Sequence, residues 1–271
     1  MLRALTRDVS RNIGRCELTH LPRLAIDYAL ALEQHRRYVN CLADLGCAIQ
    51  RVPAAPELPD SVFIEDTCVV VDELAVITRP GSESRRAETT AVAEALKAHR
   101  PIHFIKPPGT LDGGDVLRLG RRVFVGVSSR TNAEGIRQLG AFLSPHGYSV
   151  TRVGFGVRSA SKGSQACPAD SAGGCLHLKT AVTQVGEKTI LVNRAWVDPG
   201  VFGNVTMIEV DPAEPYGANA LLVNGTVVYP AEHPRTRKRL EEGGLRVRMV
   251  EVSELAKAEG AVTCCSVVFP I

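Results

Sequence analysis

The sequence predicts an α/β chain built as a ring of five strand–strand–helix–strand units, closed by its own two ends. Three observations lead there. A hairpin phrase recurs along the chain, a helical pattern follows several of the hairpins, and equivalent points fall at a repeating spacing. Asp66 to Asp115 is 49 positions, Asp115 to Lys179 is 64, Lys179 to Asn219 is 40, and Asn219 to Cys265 is 46. Repeats of about 40–50 residues mark circular or solenoid arrays.

The hairpins are read first. Val69 to Thr78 runs VVVDELAVIT, with Asp72-Glu73 at the turn. Val116 to Val127 runs VLRLGRRVFVGV and turns at Gly120-Arg121. Ala181 to Val192 runs AVTQVGEKTILV and turns at Gly186-Glu187. Ala220 to Tyr229 runs ALLVNGTVVY and turns at Asn224-Gly225. Asn-Gly between apolar runs is the strongest short hairpin signal.

Helices are expected over Arg85 to His99, Asn132 to Leu143 and Pro234 to Glu242, the last starting on proline and stopping before Gly243-Gly244. Closing strands are expected at Ile102 to Ile105, Ser149 to Val153 and Val247 to Val252. The remaining unit is split between the two ends. Leu2 to Thr6, a helix near Pro22 to Leu45 and a strand near Ala48 to Val52 would join Ser266 to Phe269. The 64-position spacing is the outlier. It contains a Gly-, Ser- and Ala-rich stretch that reads as a flexible surface insertion at 154–175 in one domain spanning 1–271.

Composition narrows the function. The 271 residues are 45% hydrophobic, enough for a sizeable core. Net charge is +3 and only 5% is aromatic, which argues against a nucleic-acid partner. The N-terminus, with charges from Arg3 on, has no apolar signal region, and no run is long enough to span a membrane. A cytoplasmic protein is expected. Without a secretory signal the eight cysteines are expected to be reduced, and no CxxC pair supports a structural zinc site. Cys167 and Cys175 flank the insertion and read as free surface thiols.

Reactive residues collect just before the first strand of each unit. They are Asp60, Glu65 and Asp66; Asp112 and Asp115; His177 and Lys179; Asn219; then Cys264 and Cys265. In a ring these positions converge on one axis. A thiol beside an imidazole is a nucleophile and acid/base pair. Excess carboxylates select a cation and match the forked N–H donors of a guanidinium. Each residue alone has a plainer reading. A cysteine in an apolar run is usually a buried small hydrophobe, Gly113-Gly114 alone is a turn, and Asp60 or Asp66 alone is a loop cap.

Together the phrases resemble the dimethylarginine dimethylaminohydrolases of the guanidino-modifying enzyme superfamily. The matching stretches are Leu58 to Asp66 (LPDSVFIED), Ile77 to Gly81 with Arg85-Arg86, Thr110 to Val116 (TLDGGDV), Phe124 to Gly126, Ser129 to Asn132, Leu176 to Lys179 and Thr263 to Ser266. The resemblance implies a five-bladed α/β propeller of ββαβ units with pseudo-fivefold symmetry. It implies hydrolysis of a methylated arginine to citrulline and an alkylamine through a covalent thiouronium. Cys264 would be the nucleophile, His177 the general acid and base, and Asp112 the group that orients His177. Leu5, Asp60, Glu65, Asp66, Arg85, Arg130 and Ala258 would bind substrate, with Arg85 and Arg130 on its α-carboxylate. No cofactor or metal is needed, although zinc would inhibit through Cys264 and His177. The resemblance places the nucleophile directly after the loop and two residues before the serine, which implies Cys264 over Cys265, and strand alternation would let only one of the two face the pocket. The partner is a small cationic amino acid, and monomer and homodimer both stay open. An arginine-deiminase-like hydrolase of arginine or another N-substituted arginine is the near alternative. A non-catalytic relative that only binds arginine analogues is the second.

Overall fold

The computed structural model describes residues 1–156 and 175–271. The insertion expected at 154–175, and Cys167 with it, lies outside the described residues except for its ends.

The described chain forms five separate three-stranded sheets. Strand β1 (Leu2–Thr6), helix α1 (Tyr28–Asp44) and β2 (Cys47–Arg51) open the first. The second blade is β3 (Cys68–Val70), β4 (Ala75–Ile77), α2 (Thr89–Lys97) and β5 (Ile102–Phe104). The third is β6 (Val116–Leu119), β7 (Arg122–Gly126), α3 (Ala133–Leu143) and β8 (Ser149–Val153). A one-turn helix α4 (Leu178–Ala181) leads into the fourth, β9 (Val182–Gly186), β10 (Thr189–Val192) and β11 (Thr206–Glu209). The fifth is β12 (Leu221–Val223), β13 (Thr226–Pro230), α5 (Pro234–Glu242) and β14 (Arg246–Val250). After α6 (Ser253–Ala256), β15 (Val267–Pro270) pairs antiparallel with β1 and completes the first blade. In every blade the first pair is antiparallel and the second parallel, as a ββαβ unit requires. The fold is a five-bladed α/β propeller.

Local chemistry accounts for most boundaries. The β12–β13 turn puts Asn224 at φ 46° and Gly225 at φ 74°, the twist a two-residue hairpin needs. Asn132 caps α3 by accepting from the Gly135 N–H at 2.8 Å. Two expectations are corrected. The first helix begins at Tyr28, not near Pro22, because Asp27 caps it by accepting from the Leu30 N–H. The fourth blade has a short 3₁₀ turn, Pro199–Phe202, between β10 and β11 and no α-helix there.

No strand ladder joins one blade to the next among the described residues; the seams are filled by packing, with isolated side-chain and turn hydrogen bonds across them. Five core clusters lie among the described residues, each bridging two neighbouring blades. Leu5, Ile77 and Leu96 belong to the seam of the first two, and Val76, Val125 and Leu139 to the next. Phe124 with Phe202, Val185 with Tyr229, and Leu42 with Val228 lie in the other three. Full burial of side chains this size stabilises by about 1.5–3 kcal/mol each, so the seams dominate the cohesion of a chain whose sheets do not join. The first strands of the blades surround a central cavity of about 300 Å³.

Two further expectations change here. Leu5 is fully buried in the seam between the first two blades, where β1, the middle strand of its sheet, is covered on both faces. It is a core residue and lines no substrate cavity. Cys175 is buried beside Phe155 and Leu178 rather than exposed. It is not among the positive-φ residues, so its side chain fits the backbone that carries His177. No helix among the described residues is long and apolar enough to cross a membrane.

Candidate active site

At one end of the ring the turns that precede the first strands come together. Two cavities meet there, one of about 20 Å³ and one of about 240 Å³, and Cys264 and His177 line both. The smaller also touches Glu17, Asp60, Asp66, Arg85, Arg130 and Ala258. The larger has apolar walls from Leu176, Tyr216, Pro230, Val252 and Ala256.

Glycine permits this convergence. A Cβ on Gly113 would lie 2.0 Å from the Glu65 carbonyl oxygen. One on Gly114 would lie 2.7 Å from His177 Nδ1 and 2.8 Å from Asp66 Oδ1. Gly113-Gly114 is therefore the surface on which the second and fourth blades present their reactive side chains, as well as a turn. The Gly114 N–H then donates to Asp66 at 3.0 Å.

His177 is held among acids. Its Nε2 is 3.1 Å from Asp112 Oδ2 and its Nδ1 is 3.9 Å from Asp66 Oδ1. Asp112 is fixed in turn by the Gly81 N–H at 2.9 Å. Asp115 accepts from the Leu178 N–H at 3.0 Å, which anchors the residue next to His177. Burial works to lower the imidazolium, but Asp66, Asp112 and Asp115 outweigh it and lift His177 to about 9. Burial raises Asp66, while His177, Arg85 and the Gly114 N–H bring it down to about 2. Asp66, Asp112 and His177 lie close enough to share an ion. An ion would have to displace the proton that these acids favour on His177, because a protonated imidazole offers no lone pair.

Cys264 sits on the turn before β15, not in a strand. Strand alternation therefore does not distinguish it from Cys265; the turn does. Cys264 is partly open to the cavities, whereas Cys265 is fully buried with its Sγ directed to the Ala261 carbonyl at 3.4 Å. The Cys264 turn is pinned at both sides. Asn219 accepts from the Thr263 N–H and donates to its Oγ1, and the Cys264 carbonyl accepts from the Glu65 N–H at 3.1 Å. Burial, with Glu65 and Asp66 adding negative charge, pushes the Cys264 thiol up to about 12.

Glu65 uses one oxygen to pair with Lys179 at 2.6 Å. Its other oxygen, Oε2, is buried without a partner, an acceptor ready for a cation. The Lys179–Glu65 pair lies between the larger reactive cavity and the central one, and lines both.

Arg85 occupies the place its motif predicts, yet its fork is largely engaged. It is paired with Glu88 at 2.8 Å and Asp66 at 2.6 Å, and donates to the Phe63 carbonyl. It holds Asp66 in place while still lining the smaller cavity beside Arg130. Removing one partner of a buried pair costs about 3–5 kcal/mol. Glu88→Ala is therefore expected to lower the unfolding free energy by about that amount; an unchanged urea midpoint would contradict the clamp.

Several site residues escaped sequence reading. Glu17, His20 and Leu21 come from the segment between the first strand and α1, and Glu259 from the turn after α6. Glu259 adopts φ 57°, rare for a side chain of its kind. Its carboxylate receives the N–H groups of Thr19, His20 and Leu21 at 2.6–3.0 Å, clasping that segment over the cavity as a lid. These pairings join positions some 240 apart in the chain and leave no local signature.

Comparison with known proteins follows the same lines. The arginine deiminase family model matches residues 47–214. An N(G),N(G)-dimethylarginine dimethylaminohydrolase of Pseudomonas aeruginosa is 38% identical, the match covering 90% of each chain. Its namesake in Streptomyces coelicolor is also 38% identical, over 98% of this chain and 96% of its own. The solved structure of the P. aeruginosa enzyme, a cysteine-to-serine variant complexed with citrulline, superposes with a TM-score of 0.86 at 34% identity, covering 99% of this chain and 100% of that one. With the fold, the convergent cysteine and histidine and these relatives in agreement, the chain belongs to the dimethylarginine dimethylaminohydrolase family of the amidinotransferase superfamily.

Proposed function

We propose that this protein hydrolyses Nω-methylated arginine to citrulline and an alkylamine, with Cys264 as nucleophile, His177 as acid and base, and Asp112 orienting His177. The observation that carries the reading is that the part-open Cys264 thiol and the His177 imidazole line both cavities, the larger with Glu65 and the smaller with Asp66. The guanidinium docks on those carboxylates, Glu65 offering its unpaired oxygen. Its positive charge offsets the acids that hold the thiol up, and Cys264 loses its proton. His177 is already protonated, so that proton leaves to solvent. The thiolate attacks the guanidino carbon. His177 gives its proton to the departing nitrogen, and the alkylamine leaves a thiouronium on Cys264. Neutral His177 then takes a proton from water, which adds to the same carbon. Collapse expels the thiolate and releases citrulline. Asp60 serves the α-amino group, Arg130 the α-carboxylate, and Ala258 the wall beside the alkyl chain. The apolar larger cavity gives methyl groups on the leaving nitrogen a place, which supports methylated arginine over arginine.

Product analysis tests this. Asymmetric dimethylarginine should give citrulline and dimethylamine. Citrulline and ammonia from arginine alone would move the protein to the arginine deiminase reading. No citrulline from any of these substrates would sink the enzymatic one. Zinc can bind Cys264 and His177 only after both lose their protons. Zinc inhibition should therefore strengthen as pH rises from 6 toward 9; inhibition independent of pH would place the ion elsewhere.

A further inference from the structure

The smaller cavity has two arginines, and they are engaged in different ways. Arg85 is buried and committed to Glu88 and Asp66 through the core. Arg130 pairs instead with a carboxylate from the lid. Its Nη1 is 3.2 Å from Glu17 Oε2, and its Nη2 donates to Thr19 Oγ1 at 3.3 Å. The other Glu17 oxygen accepts from the hydroxyls of Ser82 and Ser84, and the Glu17 N–H donates to the Asp60 carboxylate. Burial works to raise the Glu17 carboxyl, but the two serines and Arg130 outweigh it, so it is an anion at neutral pH.

The lid that carries Glu17 has neither helix nor strand between Arg15 and Tyr28. The contacts that seat Glu17 on the site come from side chains, and its own side chain is 36% exposed. Such contacts exchange readily, because a part-exposed ion pair is worth little. Glu17 thus presents a carboxylate to the same guanidinium that an amino acid's carboxylate would use.

We propose that Glu17 is a built-in competitor for the substrate's α-carboxylate and so sets specificity at the amino-acid end of the pocket. The proposal rests on the reading that Arg130 receives that carboxylate. An amino-acid substrate binds by exchanging Glu17 off Arg130, and part of its binding energy goes into the exchange. A guanidine of the same length without the carboxylate leaves Glu17 in place. With Asp60 and Glu259 also lining or flanking this end, the resident charge then suits an amine more than a zwitterion.

The test compares N-monomethyl-L-arginine with its decarboxylated counterpart, N-methylagmatine. Glu17→Gln should lower KM for the amino acid by about two- to fivefold and should not lower it for the decarboxylated compound. Glu17→Ala should shift KM the same way. In an Arg130→Gln background Glu17→Gln should add nothing. An unchanged or higher KM for the amino acid, or an equal fall for both compounds, overturns the proposal. If wild-type protein turns over neither compound, the enzymatic reading fails, and dissociation constants for L-arginine and agmatine, measured by calorimetry on the same variants, still decide the role of Glu17. The same selective gain is expected there, and its absence would overturn the competition.

Discussion

Cys264→Ser is expected to lower the rate of citrulline formation by about a thousandfold or more. A serine hydroxyl ionises far less readily than a thiol, and the site offers it no base, because His177 is lifted to about 9 and carries its proton at neutral pH. The carboxylates that grip the guanidinium are untouched. Binding of arginine or citrulline, measured by calorimetry, should therefore stay within about threefold, since one buried sulfur-to-oxygen exchange perturbs packing little. A variant that keeps a tenth of wild-type activity would show that another group attacks.

His177→Ala is expected to cost about 10²–10⁴-fold in kcat, and the loss should depend on the leaving group. Departure of an amine needs the proton His177 supplies. Departure of methanethiolate from S-methyl-L-thiocitrulline does not. The first step should thus survive with that substrate, while the second stalls because water has lost its base. The variant should accumulate a covalent species from the thioether and form little from the methylated arginine. Equal losses with both would mean that His177 acts only by holding Asp66 and Asp112. Removing the imidazolium also takes from Asp112 and Asp115 the cation they share, and leaves Asp66 with Arg85 alone. Melting curves separate that cost from the chemical one.

The architecture was legible because it repeats. Each hairpin announces itself locally, through Asn224-Gly225 or Gly120-Arg121, and the spacing of Asp66, Asp115, Lys179, Asn219 and Cys265 orders the blades around an axis. The convergence of Cys264, His177 and the carboxylates follows from that order. Lost from view were features set by packing between blades. Leu5 looked available because a single strand does not reveal that both its faces are covered. The pairing of Arg85 with Glu88 and Asp66 was hidden because it depends on where those groups meet in space. The lid was invisible beyond its position, since Glu259 reaches Thr19, His20 and Leu21 from the far end of the chain. The preference for Cys264 over Cys265 rests on its spacing to Ser266; strand alternation does not apply to the pair, which sits on a turn that opens one and buries the other.

The central claim is that Cys264 forms a covalent bond to the guanidino carbon while His177 manages the protons. The most direct test is intact-protein mass spectrometry of His177→Ala after reaction with S-methyl-L-thiocitrulline, followed by peptide mapping. The account predicts one added amidino-amino-acid group per chain, on the sulfur of Cys264, with Cys265 unmodified. An unmodified protein, or a group carried by Cys265 or another cysteine, would contradict it.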